Sequence, residues 1–158
     1  MGNEFNADDI FEIAKQIEVN GARFYREAAN RVDEDAHKQF LIGLAEMEDS
    51  HELIFAQMQN DLSSKESKSM VFDPEDENAL YLKALADTRV FSEKEQPESS
   101  MKGILTSAIA AEKDSIAFYL GMKELVSETQ GRSKVDDIIK EEMSHIKMLA
   151  NKLIEFTP

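Results

Sequence analysis

The chain has 158 residues, 42% of them apolar and 32% charged, with a formal net charge of −14 and no cysteine. That length suits one domain spanning 1–158 with a real core. The acidity excludes nucleic acid and anionic membrane surfaces as partners, since both require a basic footprint. Without cysteine there is no disulfide framework, cysteine zinc site or iron–sulfur cluster. The N-terminus, Met1-Gly2-Asn3-Glu4, lacks the basic and apolar regions of a signal peptide. No apolar run nears the roughly 20 residues of a membrane span, so a cytoplasmic protein is expected.

Helix formers dominate, prolines number three (Pro74, Pro97, Pro158), and the apolar spacing is helical nearly throughout. An all-α four-helix bundle is therefore expected. A first helix over about 6–32, capped by Asn6 or Asp8, carries the inward stripe Ile10, Phe11, Ala14, Ile17, Gly21, Phe24, Tyr25 and Ala28. A second, over about 34–62, turns in Phe40, Leu41, Leu44, Phe55, Met58 and Leu62. The turn near Arg31 to Asp35 is short, so these two helices form an antiparallel hairpin.

A long connection follows, over about 63–97. It opens on the polar run Ser63 to Ser69, then Met70-Val71-Phe72, and carries an accessory helix over 74–90 with Pro74 in its first turn. Met70-Val71-Phe72 and Val90-Phe91 have two readings: packing on their own bundle, which is favoured slightly, or a homodimer contact. The next main helix, over 98–127, turns in Ile104, Leu105, Ala108, Ala111, Phe118, Tyr119 and Met122. The last, over 133–156, turns in Val135, Ile138, Ile146, Leu149, Leu153 and Phe156. Between these two, Gly131 suits a left-handed turn position. Two hairpins joined by one long crossover is a known bundle topology.

The informative feature is internal. Glu18 and Glu112, Glu48 and Glu142, and His51 and His145 are each 94 residues apart, and the same shift aligns Phe24-Tyr25 with Phe118-Tyr119. Each half thus holds a lone Glu and, 30 residues later, a Glu-x-x-His. Folding each hairpin at its turn brings its two Glu residues to one height, and the i, i+3 spacing puts each His on the face of its Glu. These positions lie inside the apolar stripes, which disfavours a set of exposed residues on solvated faces.

Four carboxylates gathered in a dry core repel one another and lose hydration, at several kcal/mol per ion. Either they take up protons, or two divalent cations compensate them, with two neutral imidazoles completing the coordination. Four Glu with two Glu-x-x-His is the set that di-iron and di-manganese bundles use, and Fe, Mn and Zn all suit carboxylate and imidazole. His37 has no counterpart in the repeat and is read as a surface residue. Glu141 is read first as a surface carboxylate and second as a group that orients His51 from outside the site, and Met47, Met143 and Met148 are read as core filler.

At these residues the sequence resembles the ferritin-like superfamily, and within it the rubrerythrin-type di-iron domain, over about 6–62 and 98–156. The resemblance implies two iron ions, with Mn or Zn as alternatives. It implies terminal carboxylates at Glu18 and Glu112, bridging ones at Glu48 and Glu142, and one nitrogen per metal from His51 and His145. These six would be both metal ligands and the catalytic set. Tyr25 and Tyr119 are either core aromatics or hydrogen-bond donors to a ligand carboxylate. The implied function is an oxidoreductase reacting with peroxide or dioxygen; the alternative is ferritin-type iron oxidation, storage or delivery.

Two departures matter. Rubrerythrins proper carry a cysteine-based rubredoxin domain, so here electrons would come from an external donor protein. They also use a further Glu where this chain has Ser115, which makes the symmetric six-residue set closer to that of bacterioferritin.

Overall fold

A computed structural model describes residues 6–62, 77–88 and 99–156. Among these are five α-helices: α1 (Ala7–Ala29), α2 (Asp35–Asp61), α3 (Glu77–Thr88), α4 (Met101–Leu125) and α5 (Arg132–Ile154), with a short 3-10 turn at Glu128–Gln130. The polar run 63–69, Met70-Val71-Phe72, Pro74, Val90-Phe91 and Pro97 fall outside the described residues.

Local chemistry sets the helix ends. Asn6 caps α1 through a capping box: its side chain accepts from the Asp9 amide, and the Asp9 carboxylate accepts from the Asn6 amide, both at 3.0 Å. Ser100 caps α4 by accepting from the Gly103 amide at 3.1 Å, so α4 starts three residues later than the position after Pro97 suggests. Gly131 adopts φ +107° ahead of α5, the left-handed conformation that glycine accepts without a Cβ clash. The Arg132 guanidinium then donates to the carbonyls of Lys123 and Val126, giving buried or terminal carbonyls of α4 a partner.

The hairpins α1–α2 and α4–α5 are the closest-packed pairs; α1 also meets α4, α2 meets α5, and α3 lies along α4. This is a four-helix bundle with α3 as a satellite. The core is continuous through Phe11, Tyr25, Leu41, Phe55, Leu105, Phe118, Tyr119 and Leu149, all fully buried. Gly121 lets α3 approach: a Cβ there would stand 2.7 Å from the Tyr81 ring and 2.8 Å from Leu82.

The stripes are as spaced in the sequence, with one exchange on α5. Ile139 is buried, whereas Ile146 is only partly covered and stands outside the packed core. The two lie a heptad apart on the same helical face, so spacing cannot separate them; the neighbouring helices decide. No described helix is long and apolar enough to cross a membrane.

Candidate metal centre

The bundle brings all six residues of the repeat together at its centre. Glu18 (α1), Glu48 and His51 (α2), Glu112 (α4), and Glu142 and His145 (α5) are each at most 2% exposed. They form two overlapping groups: Glu18, Glu48, His51 and Glu142, and Glu48, Glu112, Glu142 and His145. Glu48 and Glu142 belong to both groups; the lone Glu and one His belong to one each. Within a group the donor atoms lie within 4.8 Å of one another.

Both imidazoles point Nδ1 inward. His51 Nδ1 is 2.9 Å from Glu142 Oε1, 3.6 Å from Glu18 Oε2 and 3.9 Å from Glu48 Oε2. His145 Nδ1 is 3.2 Å from Glu142 Oε2, 3.3 Å from Glu48 Oε1 and 3.5 Å from Glu112 Oε1, yet it hydrogen-bonds to none of them. The rings are stacked, with centroids 5.6 Å apart and planes 15° from parallel.

The donor set fits a pair of cations. Donors sharing one first-row divalent ion at about 2.1 Å stand roughly 3.0–3.4 Å apart, close to the 3.2–3.5 Å spacing around His145. Glu18 Oε2, Glu48 Oε1, Glu112 Oε2, Glu142 Oε2 and His145 Nδ1 are buried without a hydrogen-bond partner. Each such atom costs about 1–3 kcal/mol if left so. They converge instead of pairing with one another, the arrangement expected of groups aimed at a third party.

The other carboxylate oxygens of the lone pair of Glu residues are engaged. Tyr25 donates its hydroxyl to Glu112 Oε1 at 2.6 Å, and Tyr119 donates to Glu18 Oε1 at 2.5 Å. The bonds cross the repeat, so each half's tyrosine holds the other half's Glu. Of the two readings the sequence left open for these tyrosines, hydrogen bonding to the carboxylates is the one the fold adopts.

Charge follows from this crowding. Burial, then the neighbouring carboxylates, push Glu18 and Glu48 well above the usual carboxyl range. Burial and Glu142 raise Glu112 to about 7. Burial works against charge on the imidazoles, but the facing carboxylates outweigh it and raise His51 to about 9 and His145 to about 11. Glu142 alone goes down: burial opposes its charge, yet the protonated Glu112, His145 and His51 around it hold it below the usual carboxylate range. Burial and adjacent carboxylates raise both tyrosines, which therefore stay protonated donors. Without metal the site neutralises itself with protons.

Of two contacts behind the imidazoles, sequence reasoning ranked the first as the lesser alternative and missed the second. His51 Nε2, on the outer side of the ring, bonds to Glu141 Oε2 at 2.5 Å; the Glu141 side chain is 59% exposed, so it is a surface carboxylate and a partner of His51 at once. His145 Nε2 meets Met47 Sδ at 3.1 Å. Met47 and Met143 are exposed rather than core filler, whereas Met148 does pack on the core. The available signal was positional: Met47 and Glu141 are themselves 94 residues apart, each preceding the Glu of a Glu-x-x-His. His37 is not in the cluster; it pairs with Glu34 at 3.4 Å, and its ring lies against Phe156.

A bundle with one long crossover and two carboxylate–histidine groups sharing a pair of Glu residues defines a ferritin-like protein. The rubrerythrin family model matches residues 9–153, nearly the whole chain, and the chain belongs to that family. Among solved structures it is similar to one from Thermotoga maritima described as a ferritin-like diiron-carboxylate protein. The two share 25% identity and a TM-score of 0.73, over 99% of this chain and 100% of that one. Comparison with curated proteins yields no match.

Proposed function

We propose that the chain is a di-iron oxidoreductase of the rubrerythrin-like kind, which reacts with peroxide or dioxygen and is re-reduced by an external donor protein. One observation carries the reading: two donor groups share Glu48 and Glu142 in a core whose convergent oxygens otherwise lack partners. Glu18 and His51 would complete one ion's set, Glu112 and His145 the other's. When bound, the pair of irons supplies two adjacent one-electron centres.

The chain's own residues do the rest. Glu48 and Glu142, which belong to both donor groups, would hold both ions and offset their charge. Tyr25 and Tyr119 occupy one oxygen each of Glu112 and Glu18, leaving the second oxygen facing the site. Those hydroxyls are buried hydrogen-bond donors that hold the two carboxylates in place. Gly21 leaves room next to Glu48: a Cβ there would come to 3.6 Å of its carboxylate. Ser115 is spoken for, since its hydroxyl donates to the Ala111 carbonyl of its own helix at 3.1 Å.

The test is anaerobic loading with two Fe(II) per chain followed by hydrogen peroxide in stopped flow. Oxidation within seconds supports the reading; a protein that stays ferrous for minutes contradicts it. Binding of many iron atoms per chain would favour the storage alternative.

A further inference from the structure

The repeat is symmetric in its six inward donors and asymmetric just outside them. At the equivalent positions 47 and 141, one half carries a thioether and the other a carboxylate. Each touches the outer nitrogen of the opposite half's imidazole: Glu141 Oε2 at 2.5 Å from His51 Nε2, and Met47 Sδ at 3.1 Å from His145 Nε2. We propose that this pair makes the two metal positions unequal, with the His51 position filled first and held tightly and the His145 position exchangeable. The inference rests on the two-metal reading above and deepens it.

The reason is chemical. An imidazole that binds metal through Nδ1 carries its proton on Nε2. A carboxylate accepting that proton's hydrogen bond fixes the tautomer, orients the ring and increases electron density on the inward nitrogen. Removing such a partner typically weakens metal binding about 10- to 100-fold. A thioether is a poor acceptor on a flexible stem and does little of this. Glu141 is thus a positioning residue for His51, and His145 has no counterpart to it among the described residues. Both 47 and 141 are exposed, so substituting them leaves the core intact.

Calorimetric and visible-absorbance titration of the full chain with Co(II) under anaerobic conditions tests this. Repulsion between ions separates two steps in any paired site, so the decisive quantity is how substitution moves them. Met47→Glu is expected to tighten the weaker step about 10- to 100-fold and draw the two together. Glu141→Met is expected to weaken the tighter step by a similar factor. In the Zn(II)-loaded protein, proton NMR should show one solvent-protected imidazole Nε2–H, assigned to His51 and lost in Glu141→Met. Steps left unmoved by both substitutions overturn the inequality while leaving the two-metal reading standing. A chain that binds no Co(II) overturns both.

Discussion

Tyr119 and Tyr25 each present a hydroxyl to a carboxylate across the repeat, and their removal isolates the consequence of a single buried donor. Tyr119→Phe leaves Glu18 Oε1 buried and unsatisfied, which costs about 1–3 kcal/mol in urea denaturation of the metal-free protein. Tyr25→Phe should do the same through Glu112, and an unchanged midpoint in both would argue against these bonds. Proton counting probes the same cluster from the other direction. Burial raises Glu18 and Glu48, the facing carboxylates keep His51 and His145 protonated at pH 7, and Glu112 is about half so. Metal ligands must shed such protons, so a pH-stat should record release of at least about two protons as two Zn(II) bind. Release of none or one would mean the ions bind elsewhere.

Among the elements, two glycines make opposite predictions for one substitution. Gly21 lies inside α1 with space beside it, so Gly21→Ala should stabilise the helix by about 0.5–1 kcal/mol. The added methyl narrows the room next to Glu48, and peroxide oxidation of the loaded protein should slow. Gly121 lies under α3, where a Cβ would collide with Tyr81 and Leu82. Gly121→Ala should cost about 1–3 kcal/mol through overpacking and raise amide exchange across Glu77–Thr88. Equal effects at the two sites would contradict the packing described for α3.

For the molecule as a whole, pH and metal act on stability with opposite signs. Glu18, Glu48, Glu112, His51 and His145 hold protons more firmly folded than unfolded. Their contribution is complete below the unfolded values, 4.5 for the carboxyls and 6.5 for the imidazoles, and is lost as pH rises through the folded ones. Glu142, shifted down, contributes above 4.5 and loses its contribution as pH falls. The metal-free Tm should therefore peak near the carboxyls' unfolded value of 4.5 and decline toward pH 9. Bound metal reverses the trend, because its affinity grows as the ligands deprotonate. Chelation should then lower the Tm more at pH 8 than at pH 6, a difference visible in paired thermal scans.

Much of this was legible in one dimension. Helical spacing, a cap at Asn6, a left-handed glycine at 131 and a six-residue repeat follow from short-range chemistry that the chain writes locally. So does the shared height of Glu18 with Glu48 and of Glu112 with Glu142, because the members of each pair stand equally far in sequence from their turn. What only the tertiary structure decided concerns contacts between the hairpins: which tyrosine reaches which Glu, which of Ile139 and Ile146 is covered, and that Glu141 and Met47 sit behind opposite imidazoles. Periodicity assigns a face to a residue within its own helix. It carries no information on how one hairpin is rotated against the other, and that rotation sets every bond across the pair.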